Sequence, residues 1–262
     1  MNKLTQLFAK KQSDILNIYF TAGYPALNDT GRILKALDES KVDIIEIGMP
    51  YSDPMADGPT IQASGSAALK NGMTLDILFD QVRSVRPQLN SALILMGYYN
   101  QVLQYGPADF FAKCKEVGID GLILPDLPLH EYESVYRSTF EKLDLGISFL
   151  MTPQTPNARI LKIDELTRGF IYMVSSSSVT GAANGISSTQ LEYFDRTNKL
   201  KLNNPRLIGF GISDNQSFET ACKFANGAII GSAFIKALSS GDTLKKSITE
   251  FVQGIKAPQS VS

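Results

Sequence analysis

Residues 43–62 read Asp-Ile-Ile-Glu-Ile-Gly-Met-Pro-Tyr-Ser-Asp-Pro-Met-Ala-Asp-Gly-Pro-Thr-Ile-Gln. An apolar run enters a Gly/Pro-rich loop and carries three carboxylates, Glu46, Asp53 and Asp57. Glu46 sits between isoleucines, where burying a charge is costly without a partner or a chemical task. Asp57 follows in a loop that can fold back over the end of the run. Two carboxylates in different surroundings can hold different protonation states, which acid–base chemistry at neutral pH requires.

Other chemistries lack their residues. His130 is the only histidine, which argues against a His-rich metal site and against a Ser-His-Asp triad. It is read as a surface or helix-capping residue. No lysine lies at the C-terminal end of an apolar run, where a Schiff-base aldolase would need one. Asp126, in Leu124-Pro125-Asp126-Leu127-Pro128, either supports the site or caps the next helix.

Eight apolar runs position these residues: 16–23, 43–50, 92–99, 121–128, 146–153, 169–176, 206–213 and 227–234. They do not alternate strictly with polar residues, as expected of strands buried on both faces of a parallel sheet. Between them lie helical stripes such as Ile33, Leu34 and Leu37, or Leu75, Leu78, Val82 and Val85. Phe110, Phe111, Cys114 and Val117 form a third, and Val135, Tyr136, Phe140 and Leu143 a fourth. Leu244, Ile248, Phe251, Val252 and Ile255 close the chain. Eight βα units in 262 residues predict an α/β fold, a single (β/α)8 TIM barrel over 1–262. An extra helix precedes it, and 257–262 is a frayed tail. An open doubly wound sheet lacks its usual Gly-x-Gly-x-x-Gly turn. The connections 51–73, 175–190 and 196–205 read as long or polar, and the first two belong on the C-terminal face.

The seventh run ends in Gly209-Phe210-Gly211-Ile212-Ser213 and the eighth in Gly231-Ser232-Ala233, before a short helix expected over 233–238. Glycines and a helix N-terminus at these two strand ends commonly bind phosphate in such barrels. Ser175 to Gly185 is small and polar, either a connector or a lid.

Composition excludes further classes. Lys+Arg 25 against Asp+Glu 26 suggests neither nucleic acid nor a membrane surface as partner, and 44% hydrophobic residues suffice for a large core. No apolar run approaches a membrane span, and Met1 to Asp14 lacks the continuous apolar core of a signal peptide. Cys114 and Cys222 read as isolated free thiols of a cytoplasmic protein.

The chain resembles the tryptophan synthase alpha subunit family. The carrying motifs are residues 46–62, Phe20-Thr-Ala-Gly-Tyr-Pro25, Val179-Thr-Gly181, Gly209-Phe-Gly-Ile-Ser213 and Gly231-Ser-Ala233, in the family's order. The resemblance implies retro-aldol cleavage of indole-3-glycerol phosphate to indole and glyceraldehyde 3-phosphate. It implies that Glu46 shuttles a proton and that Asp57 stabilises charge on the indole N–H. Gly181, Gly209, Gly211, Gly231 and Ser232 match the phosphate cradle. Phe20, Leu127, Tyr172 and Ile212 would line the substrate pocket, and Thr180 matches a lid threonine that positions the aspartate. No metal and no cofactor are implied for this chain. The expected partner is a beta subunit that carries pyridoxal phosphate in an α2β2 complex and receives the indole. Two departures stand out. Ser176-Ser177-Ser178 replaces a common Arg-Ser-Gly, which removes guanidinium contacts from the lid. Tyr51 replaces a common Phe and adds a hydroxyl that needs a partner if buried. Two other readings remain: another phosphate-binding barrel, disfavoured by 46–62, and an idle activator, disfavoured by intact Glu46 and Asp57.

Overall fold

The computed structural model describes residues 2–174, 188–209, 211–239 and 243–256. Runs rich in Ile, Leu and Val form parallel strands β1 (Ile15–Thr21), β2 (Ile44–Gly48), β3 (Ala92–Met96), β4 (Gly121–Ile123), β5 (Gly146–Ile147), β6 (Leu150–Met151), β7 (Ile171–Val174), β8 (Arg206–Gly209) and β9 (Gly227–Ile230). Their order is β5-β4-β3-β2-β1-β9-β8-β7-β6. The fifth expected run is therefore split. Between β5 and β6, the Ser148 N–H donates to the Leu122 carbonyl (3.0 Å), and the Phe149 carbonyl accepts from the Tyr172 N–H (2.9 Å). One short segment thus bonds to both ends of the sheet and closes it. It changes neighbours because strands in a closed sheet are staggered. The other strands are shorter than the runs that announce them. Pro50 and Pro125 lie just beyond β2 and β4, and a proline has no N–H with which to extend a ladder.

Helices cover the outside. They include Thr30–Glu39, Leu75–Val85, Pro107–Val117 and Leu244–Lys256, where the sequence stripes lie. The long connection 51–73 contains a helix of its own, Pro59–Lys70. Pro59 at the first helical position after Gly58 is the signal for its start. Val135 is 51% exposed rather than part of a buried stripe. It sits in a π-helical turn, Tyr132–Tyr136, which rotates it off the face that buries Tyr136 and Phe140. No helix among the described residues is long and apolar enough to cross a membrane.

The lumen is set by strand alternation. Along β1, Ile15, Asn17, Tyr19 and Thr21 share one face, and Leu16, Ile18 and Phe20 share the other. Ile15, Ile44, Ala92, Ile94, Ile123, Phe170, Leu207 and Ile229 fill the lower lumen. Leu4, from helix Lys3–Lys10, joins them as a plug at the N-terminal end. A Cβ at Gly121, Gly146 or Gly169 would stand only 3.4, 3.1 or 3.0 Å from Leu4 Cδ2, so small residues there admit the plug. Leu4→Ala should cost about 2–5 kcal/mol of unfolding free energy, as measured by urea titration, because the cavity cannot collapse between strand backbones.

Candidate active site

Glu46 lies in mid-β2, in register with Tyr19 of β1 and Ile94 of β3. It is 1% exposed, and its Oε2 accepts from Asn17 Nδ2 at 2.8 Å. Burial pushes its carboxyl up to about 8; the Asn17 bond opposes the rise and the nearby Asp57 charge adds to it. An ordinary carboxyl would be fully ionised at neutral pH, whereas this one keeps its proton for much of the range.

Asp57 arrives from the loop after β2. Its backbone N–H donates to the Pro54 carbonyl (3.1 Å), and the Gln62 side chain donates to the Asp57 carbonyl (2.8 Å). These bonds turn the loop back over the barrel mouth. Tyr98, just beyond β3, donates its hydroxyl to Asp57 Oδ2 at 3.1 Å and accepts from the Ala56 N–H at 2.9 Å. Burial raises the Asp57 carboxyl to about 6, with the Tyr98 bond pulling the other way. Near neutral pH the pair is thus offset: Glu46 tends to hold a proton while Asp57 is mostly an anion. Asp53, the third carboxylate, is exposed and accepts from Ser52.

Aromatic groups complete the mouth. The Tyr51 ring stacks on Tyr98 with centroids 5.1 Å apart, and Asn100 Nδ2 donates to its hydroxyl at 2.9 Å. The extra hydroxyl relative to phenylalanine is thereby satisfied. Tyr172 of β7 is 7% exposed, and the charges of Glu46 and Asp57 both help to hold its phenol protonated, after burial itself. Tyr19 is 6% exposed and likewise held protonated, by burial first and then by Asp57.

The substrate-pocket expectations divide. Tyr172 faces the lumen with Glu46. Phe20 does not: it pairs with Ile47 on the opposite face of the sheet, wholly buried under the helices. Tyr19, one residue earlier, takes the lumen position. Leu127 packs in the helix-side core, while Ile123, at the end of β4, belongs to the lumen. Ile212 is half-buried at the rim beyond β8. Asp126 neither joins the carboxylate pair nor caps the helix after it. Its Oδ1 accepts from the Tyr99 N–H (2.8 Å), capping the helix Tyr99–Tyr105 that follows β3. His130 is exposed. Sequence reasoning misses Asn17, Tyr19 and Tyr98. A strand-end aromatic, as in Met-Gly-Tyr-Tyr after β3, is the only sequence signal for Tyr98.

Gly209, Gly211, Gly231 and Ser232 come together, because β8 and β9 are bonded neighbours with Gly209 opposite Ile229. They have different reasons for being small. A Cβ at Gly209 would strike Tyr172 at 2.3–2.5 Å, so this glycine makes room for the lumen tyrosine. Gly211 has φ +78° and open space around its Cα, so it needs backbone freedom. Gly231 precedes helix Ser232–Ala237, which starts one residue ahead of the expected position. Thr180 and Gly181, residues 175–187 of the expected lid 175–190, and the tail 257–262 lie outside the described residues, and the last three lid positions open the helix Ser188–Lys199. Among the described residues no cluster of His, Cys, Asp or Glu could hold a metal ion.

A closed parallel barrel with an offset pair of carboxyls at its C-terminal mouth defines an acid–base barrel enzyme. Comparison with known proteins names the family. The family model for the tryptophan synthase alpha chain matches residues 4–259, and the chain belongs to that family. The tryptophan synthase alpha chain of Flavobacterium johnsoniae is 55% identical over 258 residues, spanning 98% of this chain and all of that one. That of Phocaeicola vulgatus is 50% identical over 258 residues, with 98% and 100% covered. Among solved structures, the tryptophan synthase alpha-subunit of Pyrococcus furiosus superposes with a TM-score of 0.85 at 33% identity, covering 94% of this chain and 98% of that one. A tryptophan synthase chain from M. tuberculosis gives 0.85 at 28% identity, with 97% and 98% covered. The chain is accordingly a lyase of the tryptophan synthase type, and its reaction is the family's cleavage of indole-3-glycerol phosphate.

Proposed function

We propose that Glu46 and Asp57 carry this cleavage as acid and anion. The observation that supports it is their offset: one carboxyl raised to about 8 in the lumen, the other raised to about 6 in the loop above it. Protonated Glu46 gives its proton to indole C3. The ring becomes an iminium, and the Asp57 carboxylate lowers the energy of the charged N1–H. Glu46, now a carboxylate, takes the proton of the glycerol hydroxyl. The O–H electrons form the aldehyde C=O as the C–C bond breaks, and that bond's pair returns to the ring. Indole and glyceraldehyde 3-phosphate leave, and Glu46 again holds a proton. Tyr19 and Tyr172 form walls of the indole pocket, and Tyr98 holds Asp57 in place.

The corner formed by Gly209, Gly211, Gly231 and Ser232, with Gly181, takes the phosphate. Gly211→Asp tests this. A side chain at φ +78° with a negative charge beside the anion should weaken glyceraldehyde 3-phosphate binding strongly, at least about tenfold. Calorimetric titration showing unchanged affinity would place the phosphate elsewhere.

The product indole passes to a pyridoxal-phosphate beta subunit in an α2β2 assembly, and the cofactor belongs to that partner. The chain works in the cytoplasm as a single barrel domain. Indole release from indole-3-glycerol phosphate, with and without a beta subunit, tests the whole reading. Steady release that rises with the partner is expected; none in either condition would leave an idle activator.

A further inference from the structure

Asn17 stands on β1 two residues before Tyr19 and faces the lumen one layer beneath it. It is 0% exposed, and the neighbouring lumen residues Ile15, Ile44 and Ile229 are apolar. A carboxamide in such a place is costly unless its polar atoms are bonded. Its Nδ2 donates to Glu46 Oε2 at 2.8 Å. Its Oδ1 is buried and has no hydrogen-bond partner among the described residues. An unpaired buried acceptor costs about 1–3 kcal/mol, which an aliphatic side chain of the same size would avoid.

We propose that Asn17 is the positioning residue of the proton carrier: its N–H holds Glu46 Oε2 in both protonation states, which leaves Oε1 to carry the proton toward the substrate. The inference rests on the proton-carrying role of Glu46 proposed above. The amide N–H donates to Oε2 whether it is a carboxylate oxygen or the carbonyl oxygen of the acid, and more strongly to the charged form. Asn17 therefore offers a partner to each protonation state and keeps the carboxyl in one orientation as its proton leaves and returns. No bond of Asn17 breaks. The proton moves between Glu46, the indole carbon and the glycerol hydroxyl only. The other titratable groups whose charge or hydroxyl acts on Glu46 are Asp57 from the loop after β2, Tyr19 from β1 and Tyr172 from β7. None of these supplies the bond that Asn17 supplies from below.

Two substitutions separate this role from packing. Asn17→Leu keeps the volume and removes both polar atoms. Asn17→Asp keeps the shape and the acceptor but loses the donor, so that two carboxyls face each other. The readouts are the titration of the Glu46 carboxyl, followed by carbon-13 resonance in the full-length chain and assigned by its disappearance in Glu46→Gln, and the kcat and KM for indole release with saturating beta subunit. Both variants should move the Glu46 midpoint to higher pH by about one unit, since a donor to the charged form is gone. Both should lower kcat at least about tenfold while KM changes less than about threefold, because the substrate does not touch Asn17. An unmoved midpoint or a near-normal kcat, in either variant that keeps the parent's circular dichroism, overturns the proposal. Glu46→Gln separates the two levels. If it keeps turnover, the proton carrier itself is wrong; if it is inactive while the Asn17 variants are normal, only Asn17 is misassigned.

Discussion

Glu46→Gln should lower indole formation at least about 10²-fold with little change in KM. Glutamine keeps the size, and its amide can still meet Asn17, but it has no proton to give to C3 and no carboxylate to take one from the hydroxyl. The variant should fold. Above neutral pH it should be more stable than the parent, because Glu46 has a raised pKa in the folded protein. The folded state then holds a proton that the unfolded chain, near the ordinary value of 4.5, has released. Stability from this group is present below that ordinary value and lost as pH rises through about 8. Urea titrations of the two proteins should therefore nearly agree at pH 4 and differ by at least about 1 kcal/mol at pH 9, in favour of glutamine. Near-normal turnover in the folded variant would refute the proton-carrying role.

Asp57→Asn should cripple turnover by a similar factor, about 10²-fold, while binding of a substrate analogue stays within about threefold. The charge that Asp57 meets exists only once C3 is protonated, so its loss falls on the transition state rather than on the bound substrate. The Tyr98 hydroxyl can still donate to the asparagine carbonyl, so the loop should keep its place. Raised analogue dissociation with unchanged kcat would instead make Asp57 a substrate-binding group.

The carboxylate pair was legible in the sequence because its residue types are out of place. A glutamate between isoleucines and an aspartate in a Gly/Pro-rich loop have few structural explanations, and the second apolar run placed one inside a strand and the other in the loop that follows it. The barrel was legible for a similar reason: buried parallel strands leave continuous apolar runs. The lumen lining was harder. Alternation gives two faces but does not say which is inside, and a one-residue slip exchanges Phe20 for Tyr19. Glu46 fixes the answer only once its register with Tyr19 is known. Leu127 was misplaced for another cause. β4 ends at Ile123, and the chain turns through a bond from the Leu127 N–H to the Leu124 carbonyl (3.1 Å), which carries Leu127 into the helix-side core. The role of Gly209 was also hidden, since the ring it makes room for comes from a neighbouring strand distant in sequence. Asn17 and Tyr98 act through partners 29 and 41 residues away, pairings that periodicity does not reveal.

Exchange of the indole C3 hydrogen tests the central claim most directly. Indole and glyceraldehyde 3-phosphate are incubated with the chain in deuterium oxide, and the C3–H signal is followed by proton NMR. The account predicts that the parent protein replaces this hydrogen well above the rate without protein. It predicts that Asp57→Asn slows the exchange strongly and that Glu46→Gln leaves it at the background rate. Exchange by folded Glu46→Gln at the parent's rate would show that another group delivers the proton, and would contradict the account.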